Sequence, residues 1–289
     1  MRILPLLITS TVLFFNSLHS RAEIIVKPGE SIAFLGDSIT RDGAANPGGY
    51  VRLVESGLAS QGVNVTVIPA GIGGHKSNDM LGRLEKDVLS KKPTWMALSV
   101  GVNDVWQGAR GVALEEYKAN VTAILDRAQQ AGVKVIIFTA TQIGLPGTNA
   151  ENLKLAGYND FLRETAKARN LPLADLNAVM VAEQESFQKA GIKRTLTVDG
   201  VHMNIYGNLV MAKGVLATLG LDNTQLATVQ AKWNEMPGLY EVSPKLKLSL
   251  KELAALEAHA ASHNKSLDAF VSELTANAVN AAIKSVLAN

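Results

Sequence analysis

Ser31-Ile32-Ala33-Phe34-Leu35-Gly36-Asp37-Ser38 is the stretch on which the fold turns. Four apolar residues follow one another without alternation and then stop at a glycine, an aspartate and a serine. An unalternated apolar run of this length reads as a strand covered on both faces, which is the environment of a parallel sheet. Working outward, similar runs occur at Val63–Ile68, Trp95–Val100 and Val133–Thr139, with a shorter one at Leu171–Ala174. Amphipathic segments lie between and after them: Tyr50–Ser60, Asn78–Leu89, Ala113–Ala131, Leu153–Arg169, Leu176–Ala190 and Ile205–Leu219. The alternation predicts an α/β fold, a doubly wound, flavodoxin-like five-stranded parallel sheet with helices on both faces. Functional groups are expected beyond the carboxyl ends of its strands.

The chain has 289 residues, 47% of them hydrophobic and 19% charged, enough for one well-filled α/β domain and a small appendage. At the N-terminus Arg2 precedes an apolar run, Ile3–Phe15, and Ser20 and Ala22 set small residues three and one before Glu23. That pattern predicts a cleaved export signal over residues 1–22, because the run is shorter than the roughly 20 residues of a spanning helix. The expected location is therefore periplasmic or extracellular, with no stable membrane anchor. Losing Arg2 and Arg21 leaves basic and acidic side chains balanced, which gives no electrostatic case for a nucleic-acid partner. There is no cysteine, so no disulfide contributes and no lipid attaches through sulfur.

The catalytic-type pattern is expected to span residues 23–222. Beyond Leu221 the strand signals vanish, and residues 223–289 read as a helical extension. It comprises a helix over Asn223–Glu235 capped by Asn223, a link over Met236–Pro244, and a brief period-2 alternation over Lys245–Leu250. Helices over Lys251–His263 and Leu267–Leu287 follow, the second capped by Ser266. A short alternating strand followed by two helices looks weakly like a ribbon-helix-helix unit, with Lys245, Lys247 and Ser249 facing outward. Homodimerisation through these helices is one expectation, and a helical pair packed on the main domain is the other.

Four short blocks fall at or after predicted strand ends: Gly36-Asp37-Ser38-Ile39, Gly74, Gly101-Val102-Asn103-Asp104 and Asp199-Gly200-Val201-His202. In that order they resemble the signature of the SGNH (GDSL-like) hydrolase family over about residues 32–219, with Ile39 where the family's first block ends in leucine. A serine after aspartate is also a common turn residue, so Ser38 alone says little. With the other blocks it reads as a nucleophile, which needs a base to take its proton. Of the histidines beyond the leader, His259 and His263 lie in the extension, leaving His75 and His202. Asp199, three residues before His202, is placed to orient that ring and stabilise its charged form.

The resemblance implies an oxyanion hole made by the backbone N–H of Ser38, the backbone N–H of Gly74 and the side-chain amide of Asn103. Gly71 and Gly73 leave the glycine alignment slightly open, and the run lacks the spacing of a phosphate-cradling loop. Asp37 and Asp104 read as supporting groups. No metal or cofactor is expected, since paired-histidine motifs and cysteines are absent.

His75, Trp106, Ile143 and Met203 neighbour the blocks and are candidates for lining the substrate cleft, with Asn46 and Tyr50 approaching from the first loop; each reads equally well as packing. The loops Gly43–Gly49 and Gly144–Asn152 carry no long apolar lid. That favours a soluble or polysaccharide ester, above all a short acyl group on a carbohydrate. Alternatives are a lysophospholipase or thioesterase with the same machinery, or an inactive carbohydrate-binding module on the same scaffold.

Overall fold

The computed structural model describes residues 23–144, 149–239 and 249–288. Among them, five parallel strands form one sheet in the order β2-β1-β3-β4-β5. The strands are β1 (Ser31–Gly36), β2 (Thr66–Gly71), β3 (Trp95–Ser99), β4 (Lys134–Phe138) and β5 (Leu173–Ala174). β1 is an interior strand, with Ile32 beside Val67 on one side and Trp95 on the other, and Ile32–Leu35 are buried. The doubly wound expectation therefore holds. Chain order reverses between β1 and β3, and such a switch point opens a crevice at the carboxyl ends of the two strands.

The helices α1 (Ser38–Ala45), α2 (Tyr50–Ser60), α3 (Ser77–Asp87) and α4 (Val102–Trp106) follow the first three strands. Then come α5 (Leu114–Gln130), α6 (Ala150–Ala168), α7 (Leu176–Lys189), α8 (Ile205–Thr218) and α9 (Asn223–Glu235). α2 packs on α1, α8 and α9, while α5 packs on α3 and α6, so the two helical layers enclose the sheet. Leu53, Leu58, Met96, Ile124, Leu162 and Leu216 fill the core from these layers.

The structure moves some sequence boundaries. β2 occupies Thr66–Gly71 rather than Val63–Ile68. Pro69 lies within it, beside Phe34, and is tolerated because β2 is an edge strand with one side unpaired. α1 and α4 start at the site blocks and are too short to show an apolar period.

The chain divides into two compact units, one on either side of residues 240–241. α9, placed by sequence in the extension, belongs to the first. Val229 is buried and Trp233 Nε1 donates to Ser56 Oγ of α2 at 2.9 Å. Its cap is Asp222 rather than Asn223, in a reciprocal box with Gln225.

In the second unit, α10 (Leu250–Ser262) and α11 (Leu267–Leu287) are joined by a short turn. Ser266 caps α11 as expected, and Phe270 packs edge-on against His259. Ser249 is the cap of α10 and Leu250 its first residue, so the end of the expected Lys245–Leu250 alternation is helical. The rest of that alternation, and the expected export signal, lie outside the described residues. Among the described residues no helix is long and apolar enough to cross a membrane.

Candidate active site

β1 ends at Gly36, and Asp37 turns the chain into α1 by accepting from the N–H of Ile39 at 2.9 Å. A Cβ on Gly36 would meet Thr40 Oγ1 at 2.1 Å, so only glycine lets the helix start this close to the strand. Ser38 is thereby the first helical residue, 7% exposed. Its Oγ lies 2.8 Å from His202 Nε2, which arrives from a loop 164 residues later. His202 Nδ1 lies 2.6 Å from Asp199 Oδ2.

Asp199 also accepts from the backbone N–H groups of Val201 and His202, at 3.0 and 2.8 Å. Burial disfavours its charge, but the bonds from the His202 ring and the two N–H groups outweigh that and hold it at about 2. At neutral pH it is a carboxylate and accepts only, so Nδ1 carries a proton toward it, and the ring in its basic form presents Nε2 as acceptor to the Ser38 hydroxyl. That arrangement can draw a proton from Ser38 and return it to a leaving group.

The segments that follow β2 and β3 approach the turn that carries Ser38. Asn103, 3% exposed on α4, donates through Nδ2 to His75 O at 3.2 Å and to Asp37 Oδ2 at 3.3 Å. A Cβ on Gly73 would lie 3.8 Å from Ser38 Cβ, so the glycine run passes alongside the serine. Gly74 adopts φ +78°, and Gln107 Nε2 holds its carbonyl at 2.6 Å. The N–H groups of Ser38 and Gly74 have no acceptor among the described residues.

Burial pushes Asp37 up to about 6, against the Ile39 N–H and the nearby His202, which lower it; Asp104 adds to the rise. Burial also raises Asp104, which accepts from Ser77 N and from Ser77 Oγ at 2.6 Å and so ties α4 to the start of α3. For a carboxyl raised in this way the native state holds a proton that the unfolded chain has released. Stability therefore falls as pH rises from about 4 to about 6. Asp37→Asn is expected to flatten that slope, measured as urea midpoints across the same window.

Sequence reading missed Arg83. From α3 its guanidinium donates to Gly36 O at 2.8 Å, Ala70 O at 2.8 Å and Asp87 at 3.0 Å, and its Nε to His75 Nδ1 at 3.1 Å. It pins the carboxyl ends of β1 and β2 together beside the nucleophile's turn. Arg83→Met is expected to cost roughly 3 kcal/mol by urea unfolding, because two carbonyls and a largely buried carboxylate lose their donor.

A profile of the GDSL-like lipase/acylhydrolase family matches residues 34–209, which contain every residue of this arrangement. The chain belongs to that family.

Esterases are among the proteins to which it is similar. An acetylxylan esterase of Geobacillus stearothermophilus is 26% identical over 67% of this chain and 95% of its own length. The solved structure of that esterase covers 68% of this chain and 97% of its own, with a TM-score of 0.62. The solved acetyl xylan esterase AlAXEase is 33% identical, covers 65% of this chain and 98% of its own, and has a TM-score of 0.60. Variants of the Geobacillus enzyme described as catalytic mutants replace a serine, an aspartate and a histidine, the last two three residues apart. This GDSL-family chain is accordingly a serine hydrolase acting on ester bonds.

The remaining candidates divide. Trp106, 45% exposed, stands edge-to-face against His202 with ring centroids 6.1 Å apart. His75, its pKa lowered by burial and by Arg83, faces Arg83, and its carbonyl holds Asn103. Met203 is half-buried, with its backbone bridged to Thr197. Ile143 is a core residue at 4% exposure, so the cleft-lining expectation is replaced by packing. Tyr50 is likewise fully buried beneath the site, its hydroxyl 2.9 Å from Thr40 Oγ1, and Asn46 ends α1. Among the described residues no three His, Asp or Glu side chains gather as a metal set would.

Proposed function

We propose that the protein is an exported carbohydrate esterase that removes short acyl groups, acetyl above all, through an acyl-enzyme on Ser38. The observation that carries this is the continuous chain of short contacts from Ser38 Oγ through His202 to Asp199. Ser38 attacks the ester carbonyl as His202 takes its proton, and the protonated ring is stabilised by Asp199. The N–H groups of Ser38 and Gly74, with Asn103 Nδ2, receive the oxyanion. His202 returns the proton to the alcohol, which leaves, and water repeats the cycle to release the acid.

Asn103 already donates twice, and the 3.3 Å bond to Asp37 is the longer of the two. A developing oxyanion competes for that proton, so the donation strengthens in the transition state. Asn103→Ala is expected to lower kcat by about a hundred- to a thousandfold with KM little changed, measured on p-nitrophenyl acetate.

The acetyl and carbohydrate preference draws support from the acetylxylan esterases to which the chain is similar and from Trp106, a half-exposed ring able to face a sugar. The test is acetate release from acetylated xylan, beside hydrolysis of p-nitrophenyl esters from acetate to laurate. A rate falling steeply beyond acetate, together with acetate released from the polymer, supports the assignment. A maximum at medium or long chains with no acetate from any acetylated polysaccharide transfers it to the lysophospholipase or thioesterase reading.

Export is assigned to residues 1–22, with cleavage before Glu23; N-terminal sequencing of the secreted or periplasmic protein tests it. The second unit is assigned to pairing of two copies. A truncation after Met236 that leaves both the number of copies per particle in solution and the activity unchanged removes that assignment.

A further inference from the structure

The glycine run after β2 carries little restraint of its own. Its first fixed point is Ile72, whose N–H donates to Gly36 O at 3.1 Å. Gly73 and Gly74 follow beside Ser38, and without a Cβ their four backbone dihedrals are sterically permissive. The backbone bond that closes the turn, from His75 N–H to Ile72 O, is long at 3.3 Å. An oxyanion donor is effective only when it waits within about 2.7–3.1 Å of the place where charge develops. The run therefore needs a hold from outside.

That hold comes from α4. Asn103 and Gln107, which ends the helix, are four residues apart and share one of its faces. Their side-chain amides donate to consecutive carbonyls of the run. Asn103 Nδ2 reaches His75 O at 3.2 Å, and Gln107 Nε2 reaches Gly74 O at 2.6 Å, the shorter bond. Gln107 reaches out from a fixed backbone: its N–H donates to Asn103 O at 3.3 Å, and its carbonyl accepts from Arg110 N–H at 3.1 Å. α4 is anchored in turn through buried Asp104, which accepts from Ser77. The carbonyl of Gly74 lies in the peptide after it and the N–H in the peptide before. The bond therefore orients rather than acidifies the donor, since the two planes meet at Gly74 alone, at φ +78°.

We propose that Gln107 is a positioning residue that keeps the Gly74 N–H aimed at the oxyanion. The inference rests on the proposed role of that N–H and adds the side chain that prepares it before the substrate arrives. In this role Gln107 acts on the peptide and not on the ester. Its loss leaves the donor present but unaimed, so the cost is smaller than that of a donor removed outright.

The test uses two near-isosteric variants of the full chain on p-nitrophenyl acetate. Gln107→Met keeps the length and removes the donor, while Gln107→Glu carries a carboxylate that regains an O–H in acid. Gln107→Met is expected to lower kcat about thirtyfold with KM within about twofold, short of the hundred- to thousandfold cost of a lost donor. Gln107→Glu should lose more at neutral pH. Relative to the unaltered protein at each pH, it should then recover past Gln107→Met as pH falls from about 7 to about 4. A contact that only stabilises the fold would shift the melting transition and leave kcat in place. On an Asn103→Ala background Gln107→Met should cost a similar factor again, because the two changes disturb separate donors.

A Gln107→Met kcat within about threefold of the original, or a loss confined to KM, overturns the proposal. So does Gln107→Met that costs nothing further on the Asn103→Ala background, since the effect then runs through Asn103. Asn103→Ala slowed with Gln107→Met unmoved sinks the positioning role and keeps the oxyanion hole. Gln107→Met slowed with Asn103→Ala unmoved keeps Gly74 as the aimed donor and removes Asn103 from the hole. Both unmoved sinks the oxyanion assignment and the positioning role with it.

Discussion

Ser38→Ala is expected to lower kcat for p-nitrophenyl acetate on the order of 10⁵- to 10⁶-fold while leaving the melting transition in place. The change removes one oxygen, the atom 2.8 Å from His202 Nε2, at the first position of α1, where alanine suits the helix. No other side chain in the described structure bonds to that oxygen, so the loss falls on chemistry rather than on folding. His202→Ala is expected to cost nearly as much, and the double variant little more than either single one, because the pair acts as one unit. A serine-directed phosphonate should label the unaltered protein and neither variant. A Ser38→Ala protein within about a hundredfold of the original rate would place the nucleophile elsewhere.

Asp199→Asn is expected to cost about 10⁴-fold in kcat with the local loop intact. The asparagine oxygen still accepts from the N–H groups of Val201 and His202, which now bond to Oδ1 at 3.0 and 2.8 Å. Its amide nitrogen then faces His202 Nδ1 and donates to it. The ring must carry its proton on Nε2, the nitrogen that has to receive the proton of Ser38. Catalysis fails through the wrong tautomer rather than through displacement of the ring, and this separates the variant from Asp199→Ala, which also loses both backbone bonds. The check is kcat beside the His202 ring nitrogen shifts by NMR, which report the tautomer directly. A rate within about tenfold of the original would mean that the carboxylate does not set the tautomer.

Much of this was readable before any coordinates. Unalternated apolar runs announce buried parallel strands, and three of the four blocks follow strand ends, so the placement of Ser38, Gly74 and Asn103 was legible in sequence; the block carrying His202, also expected at a strand end, instead follows α7. The spacing of Asp199 and His202 is local, and a local turn is legible in a way that a distant contact is not. What sequence could not supply is side-chain reach across the fold. Arg83 is one arginine among many on amphipathic helices, and only the sheet shows that it caps the carbonyls of two adjacent strand ends. The bond from Asn103 to Asp37 spans 66 residues and leaves no periodic trace. The β2 boundary moved because proline is read as a strand breaker, whereas an edge strand has an unpaired side that can take it. Ile143 and Tyr50 read equally well from sequence as cleft or packing residues, and burial decides for packing in both.

The nucleophile and its base lie 164 residues apart in a chain without cysteines. They meet only when β1 is paired between β2 and β3 and the loop before α8 closes over its end. No covalent link keeps these segments near one another once the chain is denatured, and contacts so distant in sequence form late and slowly. Recovered esterase activity after dilution from urea is therefore a clock for completion of the whole first unit. It should trail the return of helical signal, since helices can form before β1 is paired between its neighbours.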